Sequence, residues 1–171
     1  MRLIRFALLS IIILFLVVTA ISLFIPSHIQ ISRIVSIKAE KDPVIGYIKD
    51  PAKWKEWYPG LDTTKLYYEN GIAKGVILNN RDSAHPVYLH ITKQTDGEVV
   101  AEMVPRRMRP VTNGWKLVSY PTNDSLALQW YMDFHLRWYP WEKFSSLLFE
   151  GSNGPRMQQG LNNLKNLVEH R

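Results

Sequence analysis

The chain has no cysteine. That absence excludes disulfide staples, thiolate zinc sites, iron–sulfur ligation and a cysteine nucleophile. It leaves the redox compartment open. The histidines offer no H-x-x-x-H spacing for a metal, and His90 and His135 take the polar parity of their segments, as solvated histidines do. Asp133 and His135 lie two apart on one strand face, but no G-x-S-x-G elbow exists to place a serine beside them, so a triad is rejected. Strong charge of one sign is lacking too. There are 21 Lys+Arg against 15 Asp+Glu, and setting Arg2 and Arg5 aside leaves 19 against 15, or +4. Without interleaved aromatic and basic residues, that balance argues against nucleic acid as a partner. No internal repeat or low-complexity stretch occurs.

What is present is apolar. The 171 residues are 46% hydrophobic, enough for one ordinary domain with an appendage and too much for disorder. From Phe6 to Ile25 no residue is charged. Twenty residues at ~1.5 Å each give roughly 30 Å of helix, the thickness of a bilayer's hydrocarbon core. Arg2 and Arg5 precede the run, which predicts a cytoplasmic N-terminus and an extracytoplasmic, periplasmic or exterior, remainder. The rival reading is a signal peptide with a small-residue exit at Val18-Thr19-Ala20. The apolar run continues past that exit to Ile25, which favours an uncleaved single-pass anchor over residues 1–27 and a folded domain over 28–171.

Residues 28–38 alternate as a strand with Ile29, Ile31, Val35 and Ile37 on one parity, broken by Arg33. Asp42-Pro43 and Asp50-Pro51 each read as a helix start, giving two short helices closed by Tyr58-Pro59-Gly60. Period two then takes over. Asn70-Gly71 and Asp96-Gly97 mark hairpins between strands at 65–69, 72–78, 87–92 and 98–104. Pro105 to Pro110 is a basic loop, and Asn113-Gly114 leads into a strand over 115–120. Residues 124–138 form the clearest strand, with Leu126, Leu128, Trp130, Met132, Phe134 and Leu136 on one face. A linker follows Tyr139-Pro140, then a helix to the C-terminus, with a break near Gly151, Gly154 and Pro155. Strand, two helices, six antiparallel strands and a long helix make an α+β layer architecture.

That order, with Ile31-Ser32-Arg33-Ile34-Val35-Ser36-Ile37, Trp54-Lys55-Glu56-Trp57-Tyr58-Pro59 and Gly160-Leu161-Asn162-Asn163-Leu164-Lys165, resembles the SRPBCC superfamily, also called START-like or helix-grip. Its members include polyketide cyclase/dehydrase-type proteins and lipid-transfer domains. The resemblance runs over about residues 28–171. It implies a curved antiparallel sheet wrapped around the C-terminal helix, with a cavity between them for an apolar or amphipathic small molecule or lipid. It names no cofactor and no single chemistry. The function expected is a membrane-tethered binder of such a ligand. The alternatives are an enzyme of the cyclase/dehydrase kind, or an interaction module whose cavity has filled with side chains.

The residues that would serve such a cavity are few. Arg33 and Glu102 are charges in apolar strands, each either the anchor for a ligand's polar end or turned to solvent at an edge or bulge. Trp54, Trp57 and Tyr58 either gate the mouth or pack their helix on the sheet. Trp115, Trp130, Met132 and Phe134 line the inner wall or form plain core. Arg106, Arg107 and Arg109 make a basic turn that would reach anionic headgroups if it lay near the bilayer.

Overall fold

The computed structural model describes residues 2–78, 85–105, 108–119 and 125–170. The expected basic turn at Arg106 and Arg107 lies outside them. Helix α1 (Arg2–Ser22) projects with its apolar side chains uncovered over most of its length. It is apolar and long enough to cross a membrane, a property that a signal sequence shares. Strand β1 (His28–Ile37) follows, then α2 (Lys41–Lys49), a 3₁₀ turn at Pro51–Lys53 and α3 (Trp54–Trp57). Strands β2 (Lys65–Glu69), β3 (Ile72–Ile77), β4 (Tyr88–Gln94), β5 (Glu98–Met103), β6 (Val111–Ser119) and β7 (Leu126–His135) complete one sheet. Its order is β1-β7-β6-β5-β4-β3-β2, antiparallel throughout. Helices α4 (Pro140–Ser146) and α5 (Phe149–Glu169) close the chain. This is the helix-grip architecture.

Local chemistry explains the elements. Asp50 caps the 3₁₀ turn by accepting from the Ala52 N–H at 3.0 Å, and Pro51 follows at the first helical position. At the other expected start, α2 begins with Glu40 as N-cap and no side-chain cap bond, so Asp42 lies inside the first turn. Asn70 and Gly71 both hold positive φ, as a tight hairpin turn needs.

Three expectations change. The segment after Tyr139 is a helix, because Pro140 supplies an N1 start and Glu142 accepts from the Arg137 N–H at 2.8 Å. Helix α5 is continuous through Pro155. The proline leaves the Gly151 carbonyl without its helical N–H donor, and the helix continues past it. Asn113 and Gly114 lie inside β6, which starts at Val111. Gly114 is required there because the Tyr131 ring lies across it, and a Cβ would fall 2.0 Å from Tyr131 Cζ.

The inner face follows the alternation. Two cross-strand rows run beside each other, Arg33–Trp130–Trp115–Val99 and Ile31–Met132–Asn113–Ala101–Ile91. Helix α5 lies chiefly over β1 and touches β7 and α3, while α2 and α3 cover the neighbouring part of the sheet.

Candidate functional site

The interior is organised by four tryptophans, two from α3 and two from the sheet. Trp54 and Trp57 come down from α3; Trp115 and Trp130 rise from β6 and β7 as a directly opposed pair. Their rings meet at 5.5 to 5.9 Å, with Trp57 edge-on to both Trp115 and Trp130. Tyr58 adds a ring 4.7 Å from Trp130. All four tryptophans are fully buried. Burying an indole removes about 150–250 Å² from water, worth roughly 4–6 kcal/mol as an upper bound.

Helix α5 holds this cluster shut. Gly160 packs so closely that a Cβ would sit 2.7 Å from Trp130 Cζ3 and 2.9 Å from Pro59 Cδ. Asn163 Nδ2 donates to the Trp57 carbonyl at 3.2 Å, and Arg156 Nη2 donates to the Pro59 carbonyl at 3.3 Å. Between these anchors Tyr58 keeps part of its surface accessible. Burial still pushes its phenol up to about 12, against the lowering pull of Arg156.

The polar atoms of the cluster divide in two. Trp54 Nε1 donates to the Ile48 carbonyl at 2.8 Å and Trp57 Nε1 to the Tyr47 carbonyl at 3.3 Å. Trp115 Nε1 and Trp130 Nε1 are equally buried and have no partner among the described residues. Neither does the side-chain amide of Asn113, 1% exposed, on the same face of β6 two residues before Trp115. Four hydrogen-bonding atoms therefore lie unpaired on adjacent inward positions of β6 and β7. Each such group costs about 1–3 kcal/mol. The aromatic burial outweighs that sum, so the cluster is stable with the defect in place.

The sequence candidates fall into groups. Trp54, Trp57, Tyr58, Trp115 and Trp130 are brought together. Met132 and Phe134 share the inner face, the latter with its ring 4.7 Å from Phe149 of α5. Arg33 occupies the inner parity beside Trp130, yet its guanidinium runs out beneath α5, ion-paired with Glu150 and packed against Gly154. It fastens the helix to the sheet edge. Glu102 is on the outer face, opposite His90 and Thr112, because Val99 and Ala101 take the buried positions of β5. It does not share the inner face with the tryptophans. Asn113 is absent from the sequence candidates, since an Asn-Gly pair reads as a turn; the buried positions two before and two after it are the available signal.

Where α3 and α5 meet the sheet, indole rings fill the space. An open groove of about 550 Å³ lies elsewhere, between α2 and the end of α5, lined by Lys38, Asp42, Tyr47, Lys53 and Glu169 among others. It includes none of the candidate residues and is charged rather than oily.

Fold and site together place the molecule in the START-like, helix-grip class. Residues 28–169 match the polyketide cyclase/dehydrase and lipid transport family, and the chain belongs to it. Among solved structures, the Zhui aromatase/cyclase from Streptomyces sp. R1128 superposes with a TM-score of 0.63 at 13% identity, over 84% of this chain and 95% of that one. The di-domain aromatase/cyclase StfQ of the steffimycin pathway gives 0.63 at 13% identity over 84% of this chain; the match spans 51% of StfQ. A START superfamily protein from Mycobacterium smegmatis gives 0.55 at 14% identity, over 82% and 97%. These likenesses establish the fold. None of the curated proteins matches the chain.

Proposed function

We propose that this chain is a membrane-tethered binding domain for an apolar or amphipathic small molecule with both hydrogen-bond donor and acceptor atoms. The ligand is received on the inner face of β6 and β7, against Asn113, Trp115 and Trp130. The observation that carries this reading is the group of unpaired polar atoms there, the two indole N–H groups and the Asn113 amide. A ligand oxygen would satisfy an indole donor, and a ligand polar group would pair with the amide, inside an otherwise apolar wall. Access requires Tyr58 and the segment after α3 to move, because α5 and Trp57 close the interior. Family membership supports a ligand of this kind, and α1 supports a tether that keeps the domain near membrane-dissolved molecules.

Native mass spectrometry of the full chain, extracted in mild detergent, tests this. A retained small-molecule adduct that disappears in Asn113→Leu is expected. The competing reading is an interaction module with a filled interior, favoured by the complete burial of the four tryptophans. No adduct in the unmodified chain would favour that reading instead, and an adduct indifferent to Asn113→Leu would overturn the placement of the ligand at Asn113.

A further inference from the structure

Exposed large apolar side chains are unevenly spread over this protein. Outside α1 and its exit, the described domain surface has isolated examples such as Ile34, Tyr68 and Ile72. One segment is different. Trp138 and Trp141 are each 62% exposed, Leu147 and Leu148 more so, and Phe24 at the exit of α1 is 90% exposed. On side chains of this size that is on the order of several hundred Å² of uncovered apolar surface in one region.

The region is built rather than frayed. Tyr139 stacks on Trp141 at 4.7 Å with the rings 11° apart, and Trp138 lies 5.1 Å from Tyr139. Arg137 Nη1 reaches Glu142 Oε1 at 3.8 Å, and the same carboxylate binds the Arg137 N–H, so the aromatic corner is fixed to the start of α4. The buried Lys143 donates to the Ile25 carbonyl at 2.5 Å and to Ser27 Oγ at 2.7 Å. Helix α4 is packed on α1, whose Thr19 and Ser22 are covered near its end while its first turns are bare.

We infer that α4 and its flanks, residues 138–148, form a bilayer-seated collar that lies in the headgroup–acyl boundary beside the exit of α1. The depth argument decides the occupant. If the span runs from Phe6 to Ile25, whatever packs on Thr19 to Ile25 is held within ~9 Å of the membrane surface at 1.5 Å per residue. Tryptophan and tyrosine carry an apolar body and a polar tip, the form enriched at that depth. Leucines at the far end of α4 supply the acyl contact. The domain would then be seated on the membrane in one orientation rather than swinging on a stalk. This inference rests on α1 spanning a bilayer.

The absence of cysteine makes the test clean. Single variants Phe15→Cys, Trp141→Cys, Leu148→Cys and Ile72→Cys of the full chain, spin-labelled, are reconstituted in vesicles of phosphatidylcholine and phosphatidylglycerol. Collision with oxygen against a water-soluble nickel chelate reads their depth. The expected result is a deep Phe15 label, Trp141 and Leu148 labels at the headgroup–acyl boundary, and an Ile72 label in water. A deep Phe15 label with Trp141 and Leu148 as wet as Ile72 would overturn the collar and leave the tether standing. A wet Phe15 label would overturn both. Dipolar broadening at Trp141 that vanishes on dilution with unlabelled protein would assign the face to a second copy and overturn the collar.

Discussion

At the scale of single residues, the unpaired amide of Asn113 has two measurable consequences of opposite sign. Asn113→Leu removes two buried atoms that have no partner among the described residues, so the unliganded chain should gain roughly 1–2 kcal/mol in urea unfolding. The same change should abolish ligand retention. A stability loss instead would mean that Asn113 has a buried water or other partner. Arg33 predicts the reverse of an essential anchor. Its pair with Glu150 is partly exposed, so Arg33→Met should shift stability by no more than about 1 kcal/mol and leave ligand retention intact. Tyr58 and Tyr131 both hold phenols at about 12, Tyr58 through burial and Tyr131 through burial and then the Glu98 carboxylate that accepts its O–H at 3.1 Å. For acids raised in the folded state, the stabilisation is complete below the unfolded value near 10 and is lost as pH climbs towards 12. Tyrosinate absorbance at 295 nm should therefore show two groups ionising late, one fewer in Tyr58→Phe. Arg33 is legible in the sequence because it breaks an apolar parity; what it pairs with is not, since Glu150 lies 117 positions away.

Among the elements, the seam between β6 and β7 carries a close steric constraint. Gly114→Ala would press a methyl into the Tyr131 ring, and roughly 1–3 kcal/mol of destabilisation is expected in denaturant unfolding. Adding Tyr131→Ala clears the space, so the double variant should lose less than the two single losses combined. Additivity would mean that the ring had already moved aside. The element order is legible in the sequence because alternation, hairpin dipeptides and helix starts agree along this chain. The failures have local causes. Asn113-Gly114 carries a turn signature, but glycine is needed here for space beneath an aromatic ring. Pro155 carries a stop signature, yet α5 runs through it, with its later residues Met157, Gly160, Leu161 and Leu164 buried against the rest of the fold. The meeting of the indole rings is illegible for a different reason: periodicity reports which face a tryptophan takes, not whether rings from α3 and from the sheet touch.

For the molecule as a whole, the proposed tether makes α1 the element that sets where the domain works. The full chain should stay with membranes through alkaline carbonate extraction and be released only by detergent, as read by blotting of the fractions; release by carbonate would remove the span from the account. The pairing of β1 has a separate consequence for biogenesis. Its partners lie 89 to 107 positions further on, Leu126 for Ile37 and His135 for His28, while β2 to β7 join neighbours in chain order. As the polypeptide emerges from its N-terminal end, the first strand of the domain is the last to find a mate. Until then Ile29, Ile31 and Val35 present a bare edge to other nascent chains, so the interval between emergence and closure is when misassembly should claim most molecules.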